Sequence, residues 1–407
     1  MIQLSFDQHL AKENFLELHI AGSKSESNRL LILQALFGNL NLINLSNSKD
    51  TQILQKALAD EKDLVNVGHA GTAMRFLTAF LSVTTTQKVV IKGSTRMHQR
   101  PIKILVEALR SLGCKIDYLN KEGFPPLQIY PAKISTNKIS LDASVSSQYI
   151  TALLLIGPYL EKGIQISLHG KITSLPYLKM SVGLMQEVGF KVDFKDQVLF
   201  VEPQNLQATK VLSIESDWSS ASYVYGAFLL SPLKKVQLHT FFKNSKQGDA
   251  YVAEFFQELG VYTTFLDNKI TLEKNSQILP KKINLDLNQT PDLAQTLAVV
   301  GLILGIDMEL TGLETLKIKE TDRIEALKIE MEKLGAEVST TLNSLIFKCP
   351  EKLNSNQQIK TYQDHRMAMA FALVCFITPV RIEAPDVVEK SYPNFWQDLK
   401  KFGVKIN

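Results

Sequence analysis

Along the chain, six stretches open on small polar or charged residues and then turn almost wholly apolar. They are SKSESNRLLILQAL from Ser23, GTAMRFLTAFL from Gly71, SSQYITALLLIG from Ser146, SDWSSASYVYGAFLL from Ser216, TPDLAQTLAVVGLIL from Thr290 and DHRMAMAFALV from Asp364. A helix that is apolar nearly all round has no face to give to water, so the pattern predicts six buried helices. Ser, Thr or Asp stands where an N-cap is wanted, and Pro291 falls in a first helical turn. An amphipathic helix follows each, and five of these end alike: EALRSLGCKID, LMQEVGFKVDF, FFQELGVYTTF, EMEKLGAEVST and DLKKFGVKIN. Gly113, Gly189, Gly260, Gly335 and Gly403 take the C-cap position, and a short β-like stretch comes after each. Their spacings of 76, 71, 75 and 68 residues describe an α/β module repeated six times. The sixth surface helix, TQILQKALADEKDL, lacks the glycine. Three modules per domain place a boundary near residue 215, where VLSIESDWSS begins the fourth.

Composition agrees with this picture and narrows it. A chain of 407 residues is too long for one ordinary core, so two domains are expected. With 45% apolar and 21% charged residues it reads as soluble and globular. A net charge of +4 gives little support to a general nucleic-acid role. Cys114, Cys349 and Cys375 are far apart, without CxxC or Cys/His pairing, and suit packing in a reducing compartment. MIQLSFDQHLAKENF does not read as a secretory signal, and runs such as ITALLLIGPYL are too short for a membrane span. The expected location is the cytoplasm, with no membrane partner.

The placing of charge is less ordinary. Lys24, Arg29, Arg75 and Arg366 lie in or near the first turn of buried helices. A helix N-terminus already presents free N–H donors and about half a positive charge, so a cation there calls for an anion. Phosphate or carboxylate fits, and arginine adds a planar fork for either. On this reading Arg366 is held by Asp364 and the helix end, facing an anionic ligand; the alternative makes each cation a local salt-bridge partner. RMHQRPI (96–102) adds two arginines ahead of a proline. KIKETDRIEALKIE (317–330), taken alone, reads as a solvated, capped helix start. Asp292 opens a very apolar helix, which makes it a candidate buried carboxylate with a raised pKa and a proton-accepting role.

The blocks GSKSESNR (22–29), HAGTAMR (69–75), RMHQRPI (96–102), SSQYITALL (146–154), SLPY (174–177), TPDLA (290–294), KETDR (319–323), DHRMAM (364–369) and EKSYPNF (389–395) occur in one order over nearly the whole chain. Together they resemble the 5-enolpyruvylshikimate-3-phosphate synthase (3-phosphoshikimate 1-carboxyvinyltransferase) family. The resemblance implies a two-domain inside-out α/β barrel, each domain three βαβαββ repeats around parallel buried helices. It assigns 1–21 with 216–407 to one lobe and 22–215 to the other, with the active site in the cleft between them. It implies transfer of the enolpyruvyl group of phosphoenolpyruvate to the 5-hydroxyl of shikimate 3-phosphate, releasing phosphate.

Matched by motif, the resemblance gives shikimate 3-phosphate to Lys24, Ser25, Arg29, Ser146, Ser147, Gln148, Ser174, Asp292, Thr315 and Lys319. It gives phosphoenolpyruvate to Lys24, Gly71, Arg100, Gln148, Arg323, Arg366 and Lys390. Asp292 would take the proton of the attacking hydroxyl and Glu320 would protonate the methylene carbon, with Lys24 as a third catalytic residue. No metal or organic cofactor is implied, and the expected state is a monomer acting on small molecules without nucleic acid. His69, Phe76 and Thr315 depart from the residues usual in the family. Gly71 implies sensitivity to glyphosate, because alanine there would crowd the inhibitor. The rivals are the related transferase acting on UDP-N-acetylglucosamine, which usually carries a reactive cysteine on a mobile loop, and a non-catalytic anion- or RNA-binding repeat protein. The latter would leave Asp292 and Glu320 idle and would favour aromatics among basic residues, an interleaving absent from this sequence.

Overall fold

The structure is a computed structural model and describes residues 1–10, 14–60, 63–143, 146–170, 172 and 174–407. The chain divides into two compact units, one of Met1–Gly22 with Glu215–Asn407 and the other of Ser23–Ile214. In the second unit the helices are α1 (Lys24–Phe37), α2 (Lys49–Ala59), α3 (Gly71–Thr84), α4 (Lys103–Leu112), α5 (Ser147–Ile156) and α6 (Leu175–Val188). In the first they are α7 (Trp218–Leu230), α8 (Val252–Glu258), α9 (Ala294–Leu304), α10 (Arg323–Lys333), α11 (His365–Ala372) and α12 (Phe395–Lys400). Odd-numbered helices are the six apolar stretches. α9, for example, is buried along all of Ala294–Leu302.

Among the described residues the strands form six sheets, five of four strands and one of two. Every sheet contains one parallel pair. Leu64–Asn66 runs parallel to Val89–Lys92, and Leu127–Tyr130 and Lys115–Tyr118 then add antiparallel neighbours. Parallel neighbours need a crossover, which a buried helix supplies for four of the pairs, as α3 does here, while Leu40–Ile43 with Lys210–Ser213 and Phe15–Leu18 with Lys235–His239 join distant parts of the chain. The return is a tight joint at the predicted glycine. Gly113, Gly189, Gly260, Gly335 and Gly403 all have positive φ, between 87° and 110°. At Gly113 the left-handed turn also brings the Lys133 carbonyl to 2.8 Å of where a Cβ would stand, so two constraints select glycine there. α2 ends instead on an extended Asp60.

Two separate cores follow from this arrangement, one inside each unit. The crossing residues are stitched by polar groups. Ser216 Oγ donates to Ile20 O at 2.7 Å and lies 3.0 Å from His239 O, and Gly22 bridges to Ser216. Beside them Glu215 is buried, accepting from Trp218 Nε1 at 2.8 Å, Phe242 N at 2.9 Å and Ser245 Oγ at 2.6 Å. Burial raises its pKa despite those three donors.

Candidate active site

In the unit of residues 23–214, the N-termini of α1, α3, α5 and α6 carry the predicted residues. Arg29 is 3% exposed, and its guanidinium donates only to neutral oxygens in the hydrogen bonds seen. Nε reaches Ser181 Oγ at 2.7 Å, Nη1 reaches Ser25 O at 2.7 Å and Nη2 reaches Tyr177 O at 3.3 Å. Burial lowers its pKa to about 10, and it lies 5.7 Å from the ring centroid of Phe76. Phe76 is thus a partner of Arg29, and its departure from the usual residue has a structural role. Ser181 continues to Thr151 Oγ1 at 3.0 Å, and Gln148 Nε2 donates to Thr72 Oγ1 at 3.4 Å. These bonds tie α1, α6, α5 and α3 together at their starts.

The start of α3 has no side-chain cap, so its free N–H groups stay available. Over it lies Arg100, 9% exposed, with its Nε unpaired and its guanidinium carbon 2.9 Å from where a Cβ on Gly71 would stand. The loop carrying Arg100 is pinned by Pro101 O, which accepts from Arg75 Nη2 at 3.0 Å and Tyr149 Oη at 2.5 Å. Arg75 is therefore a structural brace, also donating to Gly71 O at 3.2 Å. Lys24 sits 3.7 Å from Asp50, an acid the sequence reading did not flag. Ser146 Oγ caps Gln148 N at 3.3 Å, Ser147 is buried behind it, and Ser174 is buried at the start of α6 with φ 54°. A buried arginine over the uncapped start of α3 is an arrangement suited to an anion.

The unit containing residues 215–407 is built on the opposite principle. Arg323, 2% exposed, forms a three-way fork. Its Nη1 donates to Asp292 Oδ1 at 3.0 Å, its Nη2 to Glu320 Oε2 at 2.9 Å and its Nε to Asp364 Oδ2 at 2.6 Å. Taken as a solvated helix start, KETDRIE misled: Asp322 does cap α10, but Arg323 turns inward. Arg366 differs from expectation too. Asp364 caps its backbone N at 2.9 Å, whereas the guanidinium goes to Asp292, with Nη1 on the main-chain O at 2.9 Å and Nη2 on Oδ2 at 3.0 Å. Lys319 lies 3.6 Å from Asp292 Oδ1, and Lys390 donates to Glu320 Oε1 at 2.6 Å. The segment Glu314–Ile318 packs against Pro291–Leu293, and in it the buried hydroxyl of Thr315 has no partner.

This network corrects the expected pKa of Asp292. Burial pushes it up, but Arg366, Lys319 and Arg323 outweigh burial and hold it well below the ordinary carboxylate range. Lys319 shifts down, chiefly through burial. Beside this network a second raised carboxyl, after Glu215, is Asp249, lifted to about 6 by burial and by the charge on Asp292. Its Oδ2 takes the Ser219 hydroxyl, whose oxygen is 3.3 Å from Arg366 Nη2, while Oδ1 is buried and unpaired. Sequence reasoning missed Asp249, Ser219 and Asp50. Only the Gln-Gly-Asp turn at 247–249 offered a signal, and a lone aspartate before a surface helix is common.

Acidic groups interlaced with arginines and lysines, as in this cluster, suit an enzyme of the class that acts on small, multiply charged anions. Residues 52–399 match the family model "EPSP synthase (3-phosphoshikimate 1-carboxyvinyltransferase)", so the chain belongs to the EPSP synthase family. It is 46% identical over 396 residues to a 3-phosphoshikimate 1-carboxyvinyltransferase of Bacteroides fragilis, covering 96% of each chain. To the protein of that name from Actinobacillus pleuropneumoniae serotype 3 it is 35% identical over 419 residues, covering 95% of this chain and 96% of the relative. The EPSP synthase structure from Acinetobacter baumannii superposes with a TM-score of 0.76 at 19% identity, covering both chains fully. The enolpyruvyl transferase NikO from Streptomyces tendae gives 0.74 at 12% identity, over 100% of this chain and 98% of that one. The fold is accordingly the two-domain inside-out α/β barrel. The rival with a reactive cysteine fits poorly, since Cys114 is buried and its thiol is pushed up to about 12. No helix among the described residues is long and apolar enough to cross a membrane.

Proposed function

We propose that this chain is a 3-phosphoshikimate 1-carboxyvinyltransferase, moving the enolpyruvyl group of phosphoenolpyruvate to the 5-hydroxyl of shikimate 3-phosphate. The observation that carries the reading is the double cluster: family motifs supply buried arginines in one unit and an arginine–carboxylate network in the other. Lys24, Ser25, Arg29, Ser146, Ser147, Gln148 and Ser174, with Thr315 and Lys319, hold shikimate 3-phosphate. Gly71, Arg100, Arg323, Arg366 and Lys390, with Lys24 and Gln148, hold phosphoenolpyruvate. The enzyme works in the cytoplasm as a monomer and takes only small molecules.

Glu320 gives its proton to the methylene carbon, and the cationic centre that results is attacked by the 5-hydroxyl oxygen as Asp292 takes the hydroxyl proton. Glu320, now a carboxylate, takes a proton back from the new methyl group as phosphate departs, which restores the double bond. Neither carboxylate is free for this in the paired state described above: Asp292 is held by Arg366, Arg323 and Lys319, and Glu320 by Lys390 and Arg323. Substrate phosphate and carboxylate groups compete for those same cations. Each one drawn away lets Asp292 bind a proton more readily, so the substrates themselves switch the base on.

A phosphate-release assay tests the reading. Release should require both phosphoenolpyruvate and shikimate 3-phosphate; release with UDP-N-acetylglucosamine and none with shikimate 3-phosphate would reverse it. Glyphosate should inhibit the wild type and inhibit Gly71→Ala far less. Equal weak inhibition of both would refute that part.

A further inference from the structure

Three side chains outside the set assigned to the reaction gather beside the Ser216 crossing. Glu17 and His19 are two residues apart at the end of strand Phe15–Leu18, so they share one face, while Leu18 and Ile20 between and beyond them are buried. Strand Lys235–His239 runs parallel beside it, pairing Gln237 with Glu17 and Leu238 with Leu18, which brings His239 next to His19. The two imidazoles stack with centroids 3.9 Å apart and planes 20° from parallel. His239 Nε2 also hydrogen-bonds Glu17 Oε1. One ligating atom from each residue lies within 4.8 Å of the other two.

We propose that Glu17, His19 and His239 form a binding site for a divalent transition-metal ion of the zinc class. Two imidazoles and one carboxylate are a donor set that favours Zn²⁺, Ni²⁺ or Cu²⁺ over Mg²⁺ or Ca²⁺, which prefer oxygen. Metal–ligand bonds of about 2.0–2.2 Å put two ligands of one ion no more than about 4.3 Å apart, so closing the site needs a small rotation of the exposed Glu17 and His19 toward His239, whose side chain is 16% exposed. The backbone already fixes the pattern: two ligands at i and i+2 on one strand, and a third on its neighbour. Three protein ligands leave a coordination position to water. The cation at Lys269, opposite His239 in the antiparallel register, opposes binding and sets a ceiling on affinity.

The place gives the site its consequence. His19 lies one residue before Ile20, and the carbonyls of Ile20 and His239 both face the Ser216 hydroxyl. A metal held by both histidines would fasten the outgoing strand to its sheet neighbour just where the chain leaves and re-enters its unit.

The test is calorimetric titration of the untagged, full-length chain with zinc chloride, substrates omitted, beside thermal melts with zinc and with EDTA. The wild type should bind one Zn²⁺ per chain at this site and melt higher with zinc than with EDTA, since a ligand that binds only the folded state stabilises it. His19→Gln and His239→Gln should each weaken zinc binding at least about tenfold, while Lys269→Gln strengthens it. Phosphate release and melting in EDTA should match the wild type in all three, which separates a lost ligand from a damaged fold. Unchanged zinc affinity in the His19→Gln/His239→Gln double variant would overturn the proposal. So would the absence of both heat and melting shift in the wild type, which would leave Glu17 and His239 as a hydrogen-bonded pair beside a stacked ring.

Discussion

The two units handle buried positive charge in opposite ways. In residues 23–214, Arg29 donates to a hydroxyl and two carbonyls, and Arg100 keeps an unpaired Nε over the open start of α3. In residues 215–407, Arg323 alone meets Asp292, Glu320 and Asp364. The first arrangement is unbalanced without a ligand and strengthens when an anion arrives. The second is balanced already, and an anion must displace a carboxylate to enter. On the proposed function, reception and chemistry are thereby divided: one unit would attract charge, while the other would exchange partners and free its acid and base.

The largest effect that bears on this contrast is on stability. Arg323→Leu strands the buried Asp364 and takes one cation from Asp292 and Glu320, which keep Arg366, Lys319 and Lys390, and should cost about 3–5 kcal/mol in urea unfolding. Arg100→Leu removes a cation with no acid partner and should leave stability within about 1 kcal/mol, or raise it, while abolishing measurable turnover. Similar losses in both would break the comparison. Next comes Asp292→Ala, expected to lower kcat about 10²–10⁴-fold in the phosphate-release assay, the range for losing a positioned general base. A drop confined to KM would give Asp292 a binding role only.

Asp249 sharpens the contrast through pH. Its carboxyl titrates near 3.8 when unfolded and at about 6 when folded, so the folded state binds the extra proton between those values. The stability it contributes is fully present below 3.8 and fades as pH rises through about 6. Asp249→Asn should remove that slope and gain about 3 kcal/mol at pH 7.5 relative to wild type. Identical pH–stability curves would count against a strained carboxyl beside Asp292. The smallest expected effect is at Gly71. A methyl there meets the Arg100 guanidinium, the far end of a flexible side chain that can swing aside. Gly71→Ala should therefore raise KM for phosphoenolpyruvate about tenfold with kcat little changed, a loss near 1.4 kcal/mol.

The repeat was legible because local rules state it. An apolar stretch has to be buried, and a glycine closing a helix before a strand announces a left-handed turn, as at Gly113 and Gly335. The motifs also named most of the charged cluster. Pairings were beyond the sequence, since they depend on which helix ends meet. Arg366 finds Asp292 across 74 residues, and Arg323 finds Asp364 across 41. Asp292 shows the cost: burial read from an apolar helix predicted a raised pKa, and three cations contributed from elsewhere reversed the sign. Phe76 looked like an anomaly until Arg29 was found beside its ring.

The indole held by Glu215 gives the molecule a built-in lamp. Trp218 is fully sheltered, and its N–H points at a carboxyl of raised pKa beside the return crossing. Gain or loss of a proton there alters the field across the ring, so its emission colour follows events at that corner. The chain has two tryptophans in all. With Trp396→Phe silencing the other, a fluorimeter reads the crossing with no added dye.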